Sequence, residues 1–266
     1  MKIAPYSDLH IEMYHLQDGK STAEKVWAPT VFPDDKDETI LCLGGDIWYG
    51  TGALNWIQNN DLDRKFKAIV IILGNHEYWY NDLDMLPLRM REMAEKMSNV
   101  HFLHNETKIV EGVRFIGGPL WTDFDNEDPL TMLKASYYMN DYAYMKRNSS
   151  MVKAKDILEL HKETVRALED VLVPYDGKTV VMTHHLPSWN FIDGKYRLSS
   201  PRNINAYYAA NCDRFIEDGK YDVWMYGHTH DSLMLKDDTS TIVCNPKGYG
   251  NENRNFLSDL RIDLNG

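Results

Sequence analysis

The chain has 266 residues, 43% of them hydrophobic and 26% charged, an ordinary globular balance with room for one large core or two small ones. A net charge of −11 argues against a protein that tracks duplex nucleic acid, because neutralising phosphates needs a basic face. The longest apolar runs are strand-sized, which speaks against a membrane span, and the N-terminus MKIAPYSDLH reaches a candidate ligand too early for a signal peptide, so the expected location is the cytoplasm.

In chain order, residues 2–7 form a first expected strand that ends in Ser7-Asp8-Leu9-His10. Residues 11–38 are polar, with an acidic run at 34–38, and read as a loop with a short helix. Residues 39–43 are a buried strand closed by Gly44-Gly45-Asp46, and residues 51–60 suit a helix capped by Thr51. The apolar, β-branched run 68–73 reads as a central strand buried on both faces, ending in Gly74-Asn75-His76-Glu77. Residues 81–98 carry helical spacing at Leu83, Leu86, Met90, Ala94 and Met97. A short strand at 100–103 follows, and then strands at 107–110 and 113–116 joined by a Glu111-Gly112 hairpin turn.

Residues 119–175 break the strand–helix alternation and read as a helical insertion within a single domain of residues 1–266. It holds a Tyr- and Met-rich stretch at 128–147 and a long helix through Leu172 that Ser149 or Ser150 would cap. His161 lies on that helix's apolar stripe and reads as a core histidine. Residues 178–183 are a strand followed by His184-His185, 188–200 a polar loop and 201–218 a helix. A strand at 221–226 runs into Gly227-His228-Thr229-His230, and short strands at 233–236, 241–244 and 260–264 finish the chain. Cys42, Cys212 and Cys244 form no C-x-x-C pair and read as buried reduced thiols.

Five strand ends therefore carry Asp, Asn or His: Asp8 with His10, Asp46, Asn75, His184, and His228 with His230. Carboxylates plus imidazoles suit divalent ions such as Mn, Fe, Zn, Co or Ni, and the missing thiolates speak against a structural cysteine-type zinc site. If the D-x-H and H-x-H segments are extended, residues i and i+2 point the same way and each pair can face one cavity. Seven ligands are too many for one such ion; they suit two ions bridged by one carboxylate.

The ordered motifs D-x-H, G-D, G-N-H-E, H and G-H-x-H resemble those of the calcineurin-like metallophosphoesterases over most of the chain, from Asp8 to His230. SDLHIE, LWTDF, THHLPS and CNPKGY are also similar to small bacterial and phage phosphoesterases of that superfamily. The resemblance implies an α/β fold, a four-layer α/β/β/α sandwich of two central mixed sheets flanked by helices. It implies one ion on Asp8, His10, Asp46 and His230 and another on Asp46, Asn75, His184 and His228, with Mn the first expectation. His184 and His185 could exchange places in that assignment. His76 matches the family's proton donor, with Glu77 in a position to orient it, and Asn75, His76 and His185 are expected to touch substrate.

The expected reaction is hydrolysis of a small phosphodiester, such as a cyclic nucleotide, by a metal-bridging hydroxide. The alternatives are a phosphomonoesterase acting on a small metabolite and a non-enzymatic scaffold. Phosphoprotein phosphatases of the superfamily carry an Asp-Arg soon after the Gly-Asp, and this chain reads Gly45-Asp46-Ile47-Trp48-Tyr49-Gly50. Without that Arg, Lys134, Arg147, Lys195, Arg197 and Arg202 are the cations to consider near the phosphate, and the aromatics of 121–144 are candidates to stack a nucleobase or simply to pack.

Overall fold

The computed structural model describes residues 1–13, 28–199 and 202–265. Its first sheet is four parallel strands in sequence order: β1 (Lys2–Tyr6), β2 (Thr39–Leu43), β3 (Ala68–Ile71) and β4 (Val100–Phe102). The second sheet holds β5 (Glu106–Val110), β6 (Val113–Gly118), β7 (Thr179–Thr183), β8 (Val223–Tyr226), β9 (Leu233–Lys236) and β10 (Thr241–Cys244). Their spatial order is β9-β10-β8-β7-β6-β5, parallel in the middle and antiparallel at both edges. Strand β11 (Ile262–Asp263) returns antiparallel to β1 on the first sheet.

Side chains alternate across each strand, so each sheet has two apolar faces to cover. Ile40, Cys42, Val70 and Ile72 point inward and meet Phe115, Val180, Met182 and Met225 between the sheets. Leu41, Leu43, Ile69 and Ile71 point outward onto α1 (Gly52–Asn59) and α2 (Met85–Ala94) through Trp56, Ile57, Leu86 and Met90. On the far side Ile116, Val181, Trp224 and Ile242 pack against Leu168, Leu172 and Phe215. The result is the expected four-layer α/β/β/α sandwich.

Over 119–175 lie α3 (Pro129–Tyr138) and α4 (Ala154–Val171), joined through a two-stranded hairpin, Lys146–Arg147 against Ser150–Met151. Ser149 and Ser150 therefore do not cap α4. Lys153 occupies the cap, and its backbone N–H donates to Asp156 Oδ2 at 2.8 Å. His161 is buried on α4 with Nδ1 2.9 Å from the Leu120 carbonyl, a satisfied core histidine.

The single helix expected over 201–218 is instead two short ones, Arg202–Asn205 and Asp213–Glu217. Between them Ala206, Tyr207, Ala209 and Ala210 are all buried, a run too apolar for an amphipathic helix. The N–H groups of Ala206, Tyr207 and Tyr208 still bond back to Arg202, Ile204 and Asn205, but beyond them the backbone pairs with Leu186, through Leu186 N–H to Tyr208 O and Ala210 N–H to Leu186 O. The loop expected at 188–200 contains the short helices Trp189–Phe191 and Gly194–Ser199. Thr51 precedes α1 but its side chain makes no cap bond. Most of the loop expected at 11–38, residues 14–27, lies outside the described residues, and its acidic run folds as the helical turn Asp35–Glu38.

Candidate metal centre

Strands β1, β2, β3, β7 and β8 all run toward the same edge of the sandwich, where an open α/β sheet usually binds ligands. There Asp8 and His10 follow β1, Asp46 follows β2, Asn75 and His76 follow β3, His184 follows β7, and His228 and His230 follow β8. The D-x-H and H-x-H pairs converge, but by a different geometry from strand alternation. Asp8, His10, Asp46, His228 and His230 sit at φ of 52°, 46°, 55°, 70° and 53°, in the left-handed region. Each costs on the order of 1 kcal/mol, a kind of strain that clusters at functional sites. Asn75 and His76 likewise lie on a helical turn, Asn75–Tyr78, rather than on an extended segment.

Close approach explains two glycines. A side chain at Gly74 would run into the Asp46 carboxylate and backbone, and one at Gly227 into Asp8 and Ser7. Glu77 does not orient His76. Its carboxylate accepts the backbone N–H groups of Gly74 at 2.8 Å, Asp46 at 2.9 Å and Ile47 at 2.7 Å, pinning the loop after β2 to the turn after β3. Burial and the neighbouring Asp46 push its pKa up to about 7, and the N–H donors oppose that shift.

Two overlapping cages result. In one, His230 Nε2 lies 3.0 Å from His10 Nε2 and 3.5 Å from Asp8 Oδ1, and His10 Nε2 lies 3.9 Å from Asp46 Oδ2. In the other, His184 Nε2 lies 3.1 Å from Asn75 Oδ1 and 3.4 Å from Asp46 Oδ2, with His228 completing a buried Asp46–His184–His228 group. Asp46 belongs to both.

The ring nitrogens test whether these cages fit cations. His10 Nδ1 faces Glu12 Oε1 at 3.0 Å, His230 Nδ1 faces Glu252 Oε2 at 2.7 Å, and His184 Nδ1 faces the Gly44 carbonyl at 2.9 Å. Each Nδ1 must donate to its oxygen acceptor, so each neutral ring presents its Nε2 lone pair to the cage. Lone pairs then face lone pairs and carboxylates, an arrangement only a positive charge relieves. Without metal the charge is a proton: burial disfavours it, yet Asp46 and Asp8 raise His184 to about 10, and Asp8 and Glu252 raise His230 to about 9. Asp46 is held well below the usual carboxylate range, burial being overcome by His184 and His76. His228 is not served this way, because burial and the charge of the neighbouring His184 keep it neutral, and its buried Nε2 has no hydrogen-bond partner among the described residues. An orphaned buried nitrogen in a carboxylate–imidazole cage fits a divalent ion. Donor set and ring orientation agree.

Between His184 and His185, only His184 enters the cage. His185 Nδ1 lies 3.3 Å from the Pro119 carbonyl, and the ring packs between Trp121 and His228, away from the substrate-sized cavity. His76 stacks on Trp79 at 3.7 Å, with Nδ1 3.0 Å from Glu12 Oε1 and Nε2 3.1 Å from the Tyr249 hydroxyl. Four residues had not been expected here: Glu12, Asp141, Tyr249 and Glu252. One oxygen of Glu12 serves both His10 and His76, and Asp141 accepts from Asn75 Nδ2 at 2.8 Å and Trp79 Nε1 at 2.7 Å. Glu12 and Tyr249 lie inside SDLHIE and CNPKGY, so sequence carried a signal for them; Asp141 and Glu252 carried none.

Fold and cages together define a class of α/β sandwich proteins built to hold divalent ions at one strand edge. The chain belongs to the calcineurin-like phosphoesterases, whose family model matches residues 1–232. It is 27% identical, over 99% of its length and 97% of the relative's, to an uncharacterized protein of Acanthamoeba polyphaga mimivirus. Its fold is similar to that of phosphopantetheinyl hydrolase from Mycobacterium tuberculosis, with a TM-score of 0.64 and 16% identity over 95% of this chain and 91% of that one. No helix among the described residues is long and apolar enough to cross a membrane.

Proposed function

We propose that this phosphoesterase hydrolyses a small phosphodiester, a cyclic nucleotide being one fitting example. The observation that carries this reading is the cavity of about 330 Å³ beside the cages. Trp79, Tyr138, Tyr196, Tyr208, Leu186 and Ile192 line it, and no Lys or Arg is among the described lining residues. The candidate cations are engaged elsewhere or do not line it: Arg147 pairs with Asp84 and Glu159, Lys195 with Asp231 and Arg202 with Asp125, while Lys134 and Arg197 are not among the lining residues. A monoester dianion demands more cationic support than a diester monoanion, so this wall favours the diester, and its aromatic rings suit a planar leaving group.

Asp8, His10, Asp46 and His230 would hold one divalent ion and Asp46, Asn75, His184 and His228 the other, Mn²⁺ being our first candidate for this donor set. Ions bound there would lower the pKa of a shared water and neutralise the phosphoryl oxygens. Within the chain, Asp141 fixes the Asn75 amide so that its oxygen faces the cage. His76, its Nδ1 fixed 3.0 Å from Glu12 Oε1, is the residue placed to supply the proton that the leaving oxygen needs; in the metal-free chain burial disfavours the charged ring, but Asp46 and Glu12 raise its pKa above the ordinary value. The three cysteines are free and buried, which agrees with a reducing compartment such as the cytoplasm. The test compares kcat/KM of the Mn²⁺-loaded protein on bis(p-nitrophenyl) phosphate and p-nitrophenyl phosphate, then on cyclic nucleotides and nucleoside monophosphates. Higher values for the diesters are expected. Higher values for the monoesters throughout would replace this reading with a phosphomonoesterase.

A further inference from the structure

The hydroxyl of Tyr249 stands where the proton of His76 has to go. His76 Nδ1 is committed to Glu12, so Nε2 is the nitrogen that can pass a proton outward, and the atom it meets at 3.1 Å is Tyr249 Oη. Both residues line the cavity, and Tyr249 is 39% exposed while His76 is buried. The ring of Tyr249 lies over His10 with centroids 4.3 Å apart and edge-on to His230 at 4.8 Å.

The loop that carries Tyr249 is fastened on both sides. Lys247 N–H donates to the Ser7 carbonyl and Gly248 N–H to the Asp8 carbonyl, each at 3.0 Å. Tyr249 N–H donates to Glu252 Oε2 at 3.1 Å, the same oxygen that faces His230 Nδ1. Gly248 takes φ of 70° to make the turn, and a side chain there would crowd Glu252. A phenol anchored in this way is placed like catalytic machinery, with its oxygen held between the buried imidazole and the open cavity.

We propose that Tyr249 is a catalytic residue that relays the proton from His76 to the leaving oxygen, an inference that rests on the phosphoesterase reading above. As the phosphorus–ester oxygen bond breaks, the leaving oxygen takes its electron pair and the proton of Tyr249 Oη–H. Tyr249 Oη takes the proton of His76 Nε2–H in the same movement, so the phenol ends unchanged and His76 ends neutral. The attacking water forms the new bond to phosphorus and releases one proton, which restores His76. Phenol and imidazole therefore act in series.

The test is Tyr249→Phe, which keeps the ring over His10 and His230 and removes only the oxygen. Two readouts come first: Mn²⁺ stoichiometry and affinity by calorimetry, expected to match wild type, and the ¹⁵N resonance of His76 Nε2 in metal-free protein, expected to move while those of His10 and His230 stay. Turnover is then compared on a nitrophenyl ester and on whichever ribose ester the wild type cleaves, diester or monoester. A ribose alkoxide needs its proton and a nitrophenolate does not, so kcat should fall about 10²-fold on the ribose ester and less than about 3-fold on the nitrophenyl ester. Equal losses on the two, a gain in activity, or loss of Mn²⁺ binding would overturn the relay and leave the phosphoesterase reading standing. A metal-loaded wild type inactive on every phosphoester would instead overturn that reading, and the relay with it.

Discussion

Asp46 carries the heaviest duty of any single residue. It belongs to both cages, its Oδ1 accepts the His76 N–H at 2.8 Å, and it raises the pKa of His184. Asp46→Asn should cut activity by more than the roughly 10–100-fold typical of outer-shell changes. It should also weaken binding of both ions in a metal titration; a variant that keeps both at wild-type affinity would remove Asp46 from the bridging position. The histidines predict a pH effect. Metal-free His184 and His230, with pKa values of about 10 and 9, are both protonated at neutral pH. Filling the cages must displace those protons, so calorimetry in buffers of different ionisation heat should show net proton release at pH 7, and affinity should fall on acidification. Binding without proton release would mean that His184 and His230 stay out of the coordination shell.

At the scale of elements, the strands could be read because each is an apolar run stopped by glycine or a polar cluster, and the site could be read because every motif ends one of those strands. What could not be read depends on contacts between distant segments. CNPKGY marks Tyr249 by resemblance alone, without announcing that its hydroxyl will reach His76, and nothing in residues 206–212 announces that their backbone will pair with Leu186. The left-handed turns at Asp8, His10, His228 and His230 were also hidden, because none of these residues is a glycine. Glu77 shows the same dependence: its neighbour in sequence is His76, but its work is to hold two loops together. Glu77→Ala would leave several buried N–H groups unpaired at about 1–3 kcal/mol each. Chemical unfolding of the metal-free variant should show a loss above about 3 kcal/mol. A loss under 1 kcal/mol would mean that the loops satisfy those groups in another way.

For the whole molecule, stability should depend on histidines buried neutral as well as on the core. Burial and the nearby Arg91 lower the pKa of His104 to about 4. The unfolded chain therefore binds a proton below the ordinary value of about 6.5 that the native state refuses, and stability falls as pH drops through that window. In urea unfolding with chelator present, wild type should lose about 2 kcal/mol more than His104→Asn between pH 7 and pH 5. Equal losses would mean His104 titrates normally in the native state.

The central claim is that five strand ends are folded into two overlapping cages that share Asp46 and hold two divalent ions. Metal analysis of the purified chain during stepwise Mn²⁺ addition, with phosphodiesterase activity followed in the same samples, tests it most directly. Two equivalents per chain at saturation, with activity rising as the second one binds, is the result predicted here. Full activity at a single equivalent, with no second ion bound at saturation, would contradict it.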